Sequence, residues 1–218
     1  MPGSLPVFDT AVEQVCAWMA PATALDIGPG SGKFGRLLAR AAPGCVRNAV
    51  ELERSYIDRF ALRSIYHDVA VADASAWWRQ LPVSRFDLVT LGDVLEHMPK
   101  SAGLDLLNAL VYRCAWLLVV VPEFVLQDAV DGVASEAHVS VWSERDFDWH
   151  DLWAWDNCRT MTLLLLRGYL PSPLSLAQLV DRVAGADLPV HDFDGRSFVR
   201  ALRLRMIEHP REVAYRPG

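Results

Sequence analysis

The chain of 218 residues lacks any apolar run long enough to cross a membrane, and its uninterrupted apolar stretches resemble Leu163 to Leu166 in length. Its first residues lack the basic stretch followed by an apolar stretch that a secretory signal has. Its four cysteines lie far apart without a CxxC pair, which disfavours a disulfide framework and a zinc site. We therefore expect a cytoplasmic protein with reduced, buried thiols and no membrane partner.

Basic residues are also outnumbered by acidic ones, 21 to 27, which gives a net charge of −6. Nucleic-acid binding depends on neutralising phosphates, so a nucleic-acid partner is not expected. The charge is unevenly distributed, since six arginines from residue 196 onward outnumber Glu208 and Glu212. A local basic surface in this part of the chain is therefore an alternative that stays open. A content of 52% hydrophobic and 22% charged residues indicates a globular chain and not a disordered one.

Short apolar runs alternate with segments of helical periodicity up to residue 121. A helix is expected over 10–19, with Thr10 and Glu13 in a capping box. Five buried strands are expected at 22–27, 46–50, 69–72, 86–91 and 117–121. Near-continuous apolar strands between amphipathic helices predict an α/β fold, with a doubly wound, mostly parallel sheet and helices on both faces.

The pattern is less regular after residue 121. A loop is expected over 122–142, then a helix capped by Ser143 with Asp146, and a strand over 160–166. Trp149 and Trp153 at helical spacing predict a packed helix face.

The remaining sequence predicts two helices. One begins at Ser172-Pro173 and ends at Gly185, and the other covers 197–208 with Arg196, Arg200 and Arg203 on one solvated face. We therefore divide the chain into a domain over 1–170, which includes an N-terminal helix within 1–20, and a helical C-terminal extension over 171–218.

The segment from Leu25 to Gly35, LDIGPGSGKFG, follows one expected strand and opens the next helix. A P-loop would need Ser or Thr where Phe34 stands, and a dinucleotide-binding turn needs a small residue where Lys33 stands. The segment resembles motif I of class I methyltransferases, in which an acidic and an apolar residue precede Gly-x-Gly-x-Gly. The resemblance implies S-adenosylmethionine as cofactor, bound by Asp26, Gly28, Pro29, Gly30 and Gly32.

Two carboxylates agree with this resemblance. Glu51 ends the second strand roughly 20 residues past the glycines, where an acidic side chain can accept hydrogen bonds from ribose hydroxyls. Asp73 follows the third strand, at a position that commonly meets the adenine amino group in this family. Leu52 and Ala74, the residues that follow these carboxylates, are expected to line the same site.

The fourth expected strand ends in Gly92-Asp93-Val94-Leu95-Glu96-His97. This stretch resembles motif IV of the same family, in the D-V-L-E-H form common among small-molecule and glycan methyltransferases. The resemblance implies that Gly92 and Asp93 line the methionine side of the cofactor, and that Asp93, Glu96 and His97 face the transferred methyl group. His97 is the first candidate base for a hydroxyl acceptor, because imidazole accepts protons near neutral pH.

The expected loop after the fifth strand contains a second set of candidates. In one interpretation it faces the substrate, with Glu136 and Trp142 at the acceptor and His138 near the reaction. In the other, Asp93, Glu96, His97 and His138 bind a divalent metal. That alternative follows from small-RNA 2′-O-methyltransferases, whose E-x-x-E-H motif joins a later His to hold Mg²⁺, and it is not the favoured one.

The favoured function is therefore a methyltransferase that uses S-adenosylmethionine to O-methylate a small metabolite or a sugar. A nicotinamide-dependent oxidoreductase is disfavoured, since the chain has no Tyr-x-x-x-Lys. A non-catalytic scaffold that binds the cofactor is a third hypothesis, and association into a homodimer stays open.

Overall fold

The computed structural model describes residues 4–79 and 84–209. Within these residues the chain forms ten strands, eight of which make one central sheet. The strands are β1 (Thr23–Ile27), β2 (Val46–Glu51), β3 (Asp68–Val71), β4 (Phe86–Gly92), β5 (Cys114–Pro122), β6 (Leu152–Cys158), β7 (Met161–Arg167), β8 (Pro189–His191), β9 (Phe198–Ala201) and β10 (Arg205–Glu208).

The sheet has the order β10-β6-β7-β5-β4-β1-β2-β3, and β8 pairs with β9 separately. Strands β1 to β5 are mutually parallel, whereas β7, β6 and β10 add to β5 in antiparallel pairs. The chain builds outward from β1 to β3, then returns to the other side of β1 with β4. This reversal between β1 and β4 creates a crevice at the carboxyl ends of the strands, where ligands bind in open α/β sheets.

Helices cover both faces of the sheet, which confirms the predicted α/β class. They are α1 (Asp9–Met19), α2 (Lys33–Ala41), α3 (Arg54–Arg59), α4 (Ala74–Trp77), α5 (Lys100–Leu110) and α6 (Leu176–Ala186). Alternate residues of one strand belong to different layers: Leu88 packs in the cluster that contains α1, α2 and α6, and Val89 in the cluster that contains α5. Because β5 is buried at all nine positions, it reads as a continuous apolar run.

All five strands predicted before residue 122 are present, with ends that differ by at most three residues. The first helix is also confirmed, but its capping box is wrong. Phe8 is the N-cap and supplies no side-chain hydrogen bond, so Thr10 lies inside the helix. Glu13 instead pairs with Arg40 of α2, at 2.7 Å between Oε2 and Nη2.

The region that follows β5 differs more from the prediction. The loop over 122–142 contains a single 3₁₀ turn, Ala134–Glu136, and Ser143 with Asp146 does form a capping box, although on a 3₁₀ helix of four residues. The helical interpretation of Trp149 and Trp153 is wrong. Trp153 is a buried residue of β6, and Trp149 is 37% exposed.

The C-terminal segment is helical only in its first part. Helix α6 has Ser175 as its N-cap, in a capping box with Gln178, and continues past Gly185. The helix predicted over 197–208 is wrong, because β9 and β10 occupy that stretch, and Pro210 lies outside the described residues. The predicted stripe of arginines is wrong for the same reason, since Arg200 pairs with Asp156 and Arg203 with Asp187, each at 2.7 Å.

The four cysteines, Cys16, Cys45, Cys114 and Cys158, are buried free thiols, as predicted. Burial raises the pKa of Cys16 and of Cys114 to about 12. None of the helices within residues 4–79 and 84–209 combines the length and apolarity needed to cross a membrane.

Candidate active site

A cavity of about 320 Å³ opens at the carboxyl ends of β1 to β4, in the crevice where the strand order reverses. Most of the predicted site residues line it. They are Gly28, Pro29, Gly30, Glu51, Leu52, Asp73, Ala74, Gly92, Asp93, Glu96, His97, Glu136 and His138. Three predicted residues, Asp26, Gly32 and Trp142, do not line it. The topology therefore brings residues from four strand ends and one distant loop to a single site.

The glycine turn between β1 and α2 forms one wall of the cavity. Gly28, Gly30 and Gly32 all have positive φ angles, of 63°, 50° and 82°. Only glycine adopts this left-handed conformation without strain, and a Cβ at Gly28 would also overlap Val94. Gly32 supports the turn from below and is the N-cap of α2. The turn therefore brings the main chain close to the cavity, and side chains at these glycine positions would fill part of the cavity.

Asp26 lies beneath this wall, so it supports the turn and does not face the cavity. Its carboxylate accepts hydrogen bonds from the hydroxyls of Tyr66 and of Thr90, the latter at 2.7 Å. The Tyr66 hydroxyl in turn accepts from the Gly35 amide of α2 at 3.0 Å. Burial raises the pKa of Asp26 to about 6, although these hydroxyls favour its charged form.

The carboxylates of Glu51 and Asp73 are held by backbone amides at the ends of β2 and β3. Glu51 accepts from the Gly30 amide at 3.1 Å and from the Glu53 amide at 2.8 Å. Asp73 is the N-cap of α4 and accepts from the Ser75 amide at 2.8 Å. Each carboxylate retains lone pairs beyond these bonds, so both can accept further hydrogen bonds from a ligand in the cavity.

The segment after β4 contains a residue in a left-handed backbone conformation and carboxylate oxygens without hydrogen-bond partners. Asp93 has a left-handed φ of 53°, and its amide donates to Val120 of β5 at 2.8 Å. One oxygen of Asp93 and both oxygens of Glu96 are buried without a hydrogen-bond partner in the described parts of the chain. Burial raises the pKa of both groups, and their mutual repulsion adds to the effect on Glu96. Buried unpaired acids of this kind are typical of functional sites.

Two histidines lie beside these acids. The Nδ1 atoms of His97 and His138 lie 3.2 Å from the Ala137 carbonyl and 2.8 Å from the Val125 carbonyl. A carbonyl oxygen can only accept, so each Nδ1 donates to its carbonyl and Nε2 is the ring nitrogen left for a ligand. The two rings meet edge to face at 4.9 Å, and burial lowers the pKa of His97, which favours its neutral form. A neutral imidazole with a free Nε2 can accept a proton or bind a metal.

These residues also fit a divalent cation. One ligand atom each from Glu96, His97 and His138 lies within 4.8 Å of the others. Histidine ligands usually donate their second ring N–H to a carbonyl or carboxylate, which both histidines do here. Asp93, the fourth predicted ligand, is not part of this group.

Trp142 does not contact the cavity, and its predicted place at the acceptor is wrong. The side chain is fully buried, its indole N–H donates to Ser140 at 2.8 Å, and the Lys100 ammonium lies over the ring at 4.4 Å. It supports the loop that contains Glu136.

Other lining residues were not among the predicted site residues. Tyr56 of α3 donates to the Glu136 carboxylate at 2.9 Å, and the Gln127 amide donates to the Glu136 carbonyl at 2.7 Å. Tyr56, Gln127, Met98 and Met161 come from separate elements with no shared motif. Only the fold brings them together.

Residues 17–182 match a protein family described as a methyltransferase domain. A comparison with curated protein sequences gives no match. Among solved structures, the chain is similar to a SAM-dependent methyltransferase from Archaeoglobus fulgidus, with 14% identity and a TM-score of 0.58 over 76% of this chain and 95% of that one.

It is also similar to mitomycin 7-O-methyltransferase, with 18% identity and a TM-score of 0.52 over 74% of this chain and 54% of that one. A third similar structure is the N-terminal domain of EvdMO1 in the presence of SAH and D-fucose, with 16% identity and a TM-score of 0.54 over 77% of this chain and 84% of that one. The chain thus spans about half the length of mitomycin 7-O-methyltransferase. At these identities the similarity establishes a shared fold.

Proposed function

Because the chain belongs to the class I S-adenosylmethionine-dependent methyltransferases, we propose that its cavity binds S-adenosylmethionine and that the protein O-methylates a small metabolite or a sugar. The observation that supports the proposal is the convergence of the glycine turn, Glu51, Asp73 and Gly92 on one cavity. These groups match, in order along the chain, the positions that the family uses for the methionine part, the ribose and the adenine. The volume of about 320 Å³ is in the range of small-molecule sites.

When bound, the cofactor supplies a methyl group already activated by its sulfonium. The protein then has to align the acceptor oxygen with that methyl group and exclude water. His97 is the candidate base, because it lines the cavity, is neutral and has a free Nε2 that can take the hydroxyl proton. Glu136, fixed by Tyr56, lies in the same part of the cavity and can accept a hydrogen bond from another acceptor hydroxyl.

The charge of the lining favours a neutral acceptor over an anionic one. Its acidic side chains outnumber its lysine, and no arginine lines the cavity in the described parts of the chain. A phosphorylated acceptor would need cationic partners that this site does not provide. Hydroxyl groups of a sugar or a small metabolite match carboxylate and imidazole acceptors well.

The proposal is tested first by calorimetric titration with S-adenosylhomocysteine. The wild type should bind it, and Glu51→Ala should weaken binding, because ribose acceptors and the support of Gly30 are both lost. Glu13→Ala, which alters a carboxylate that is paired with Arg40 and lies outside the cavity, is the control and should bind normally. Absence of binding in the wild type, or equal affinities in all three proteins, would end the proposal.

The candidate base is tested by turnover on a panel of hydroxylated acceptors. His97→Ala should lower the rate by about 10²- to 10⁴-fold while leaving S-adenosylhomocysteine affinity unchanged, since a base acts on the acceptor proton. His67→Ala, a change outside the cavity, should turn over normally. Tight cofactor binding without turnover on any acceptor would favour the non-catalytic scaffold.

A metal-assisted reaction is the second candidate, favoured by the cluster of Glu96, His97 and His138. In that case the metal would activate the acceptor hydroxyl, and the two histidines would be ligands. Titration with Mn²⁺, monitored by its electron paramagnetic resonance signal, should then show one bound ion that His138→Ala abolishes. If no ion binds and EDTA leaves turnover unchanged, the metal candidate is excluded and His97 remains the base.

A further inference from the structure

The loop over 122–142 has two limbs, and one face of it forms part of the cavity wall. The limbs run antiparallel, because Val130 and Val133 form an antiparallel bridge and the His138 amide donates to the Gln127 carbonyl at 2.9 Å. Val125, Gln127 and His138 line the cavity. The inner face of the loop is therefore occupied by the candidate active site.

The outer face of the same loop has exposed apolar side chains. Successive side chains of an extended chain point to opposite sides, and exposure alternates along 123–128 and along 138–141. Leu126 is 98% exposed and Phe124 is 77% exposed, and Val139 and Val141 of the other limb are exposed as well. These four residues, which we call the outer patch, do not line the cavity. Clustered apolar side chains in water mark an interaction surface.

Phe124 also has a strained backbone. Its φ of 53° lies in the left-handed region, which is rare for a bulky side chain. Both of its neighbours are held in place, since the Glu123 amide donates to the Thr160 carbonyl at 2.6 Å and the Val125 carbonyl accepts from His138 Nδ1 at 2.8 Å. Strained residues concentrate at functional surfaces. Strain and exposure at Phe124 therefore point to the same contact surface.

The size and the charge of the outer patch favour a neutral lipid surface as its partner. A stable protein–protein interface uses about 20 to 30 residues and about 800 Å² on each side, and four side chains provide far less. The loop contains neither lysine nor arginine, and its acids are Glu123, Asp128, Asp131 and Glu136. These acids repel anionic lipids and nucleic acids, so attachment has to come from apolar contact. Binding at a lipid interface increases with the apolar area that enters it.

We propose that the outer patch docks the protein onto a neutral lipid surface. The lack of a membrane span, which led us to expect no membrane partner, excludes a span but not a peripheral contact. Because the inner face of the same loop lines the cavity, docking brings the cavity to the lipid surface. The proposal goes beyond the proposed function and does not depend on it.

The test is flotation of the protein with phosphatidylcholine vesicles. The wild type should float with the vesicles. The double variant Phe124→Ser/Leu126→Ser should lower its partition coefficient by about tenfold or more, because two apolar side chains no longer enter the lipid. The matched control Phe193→Ser/Phe198→Ser removes two exposed apolar side chains at the β8–β9 pair and should partition as the wild type does. Replacing half of the lipid by phosphatidylglycerol should weaken binding of the wild type, because the loop is acidic.

A wild type that stays out of the vesicle fraction would overturn the proposal, and so would an equal loss in the two double variants. Stronger binding to the phosphatidylglycerol vesicles would also overturn it, because a basic surface elsewhere would then be responsible. Sedimentation velocity tests a second copy as the partner. A dimer that Phe124→Ser/Leu126→Ser dissociates, without vesicle binding, would assign the outer patch to self-association and overturn lipid docking.

Two further measurements separate docking from folding and from the proposed function. Thermal melts by circular dichroism establish that both double variants are folded. Both should bind S-adenosylhomocysteine as the wild type does, since the outer patch lies outside the cavity. A wild type that floats with the vesicles but does not bind S-adenosylhomocysteine would overturn the proposed function and leave docking intact.

Discussion

The two ends of the cavity both contain carboxylates, but these carboxylates differ in their hydrogen-bond partners. At the end that we propose for the cofactor, the carboxylates of Glu51 and Asp73 accept hydrogen bonds from backbone amides. At the end that we propose for the acceptor, one oxygen of Asp93 and both of Glu96 have no hydrogen-bond partner in the described parts of the chain, although both residues are buried. The first end is complete without a ligand, and the second end is not.

The difference shows which buried acids stabilise the empty protein and which ones lower its stability. Backbone amides at strand ends and helix starts stabilise an acid at little cost, because these amides need acceptors in any case. An unpaired buried acid lowers the stability of the empty protein, and a cation, a proton or a hydroxyl donor restores it. Four substitutions test this contrast.

The largest effect is expected from Glu96→Gln. The free energy of unfolding of the metal-free protein should rise by about 3 kcal/mol at neutral pH, since a buried carboxylate without partners is replaced by a neutral amide. Urea denaturation in the presence of EDTA measures the change.

The matched control is Glu51→Gln at the cofactor end. It should lower the free energy of unfolding by about 1 kcal/mol, because an amide has one oxygen to accept from two backbone N–H groups. If both substitutions shifted stability in the same direction, the contrast between the two ends would be wrong.

An effect smaller than that of Glu96→Gln is expected from Asp26→Asn, which tests the buried carboxylate that supports the glycine turn. The folded pKa of Asp26, about 6, is higher than the ordinary value of 3.8. The folded protein therefore binds the proton more tightly, and stability falls as the pH rises from about 4 to about 6, then levels off. From pH 4 to pH 7 the wild type should lose about 2 kcal/mol relative to Asp26→Asn.

Urea denaturation of both proteins at matched pH values measures this difference. Asn keeps the shape of the side chain but does not titrate. A constant difference across that pH range would show that Tyr66 and Thr90 compensate the burial of Asp26 fully.

The smallest effect is expected from Tyr56→Phe, which removes the one hydrogen bond between α3 and Glu136. The loss should be about 1 kcal/mol or less, because both groups lie near the open cavity and water can replace the bond. Acceptor KM should rise more than S-adenosylhomocysteine affinity falls. An effect confined to cofactor affinity would assign Tyr56 to the other end.

The parallel half of the sheet could be predicted from sequence because its signals are local and strong. Each strand from β1 to β5 is an apolar run next to an amphipathic helix, and the glycine turn of residues 28–32 has few alternatives. The carboxylates at the strand ends follow from the rule that parallel strands end at one edge.

The antiparallel half could not be predicted in the same way. Trp153 belongs to a strand whose burial follows from tertiary contacts, whereas its spacing from Trp149 suggested a helix. Arg200 and Arg203 look like a solvated helix stripe, but their partners Asp156 and Asp187 are distant in sequence. Long-range pairing decides secondary structure at such positions.

The acceptor end was predicted in part. Asp93, Glu96, His97 and His138 were expected near the reaction and do line the cavity. The rings of His97 and His138 are oriented by carbonyls of the loop over 122–142, whose path no sequence pattern specifies.

The buried thiols make the protein its own reporter of unfolding. Cys16 packs in the layer formed by α1 and α2, and Cys114 in the layer formed by α5. Thiolates are the reactive form, and a pKa of about 12 leaves almost none in the native state. Alkylation therefore has to wait for local opening, so the labelling rates of these two cysteines, read by mass spectrometry, compare the opening of the two faces of the sheet without any introduced probe.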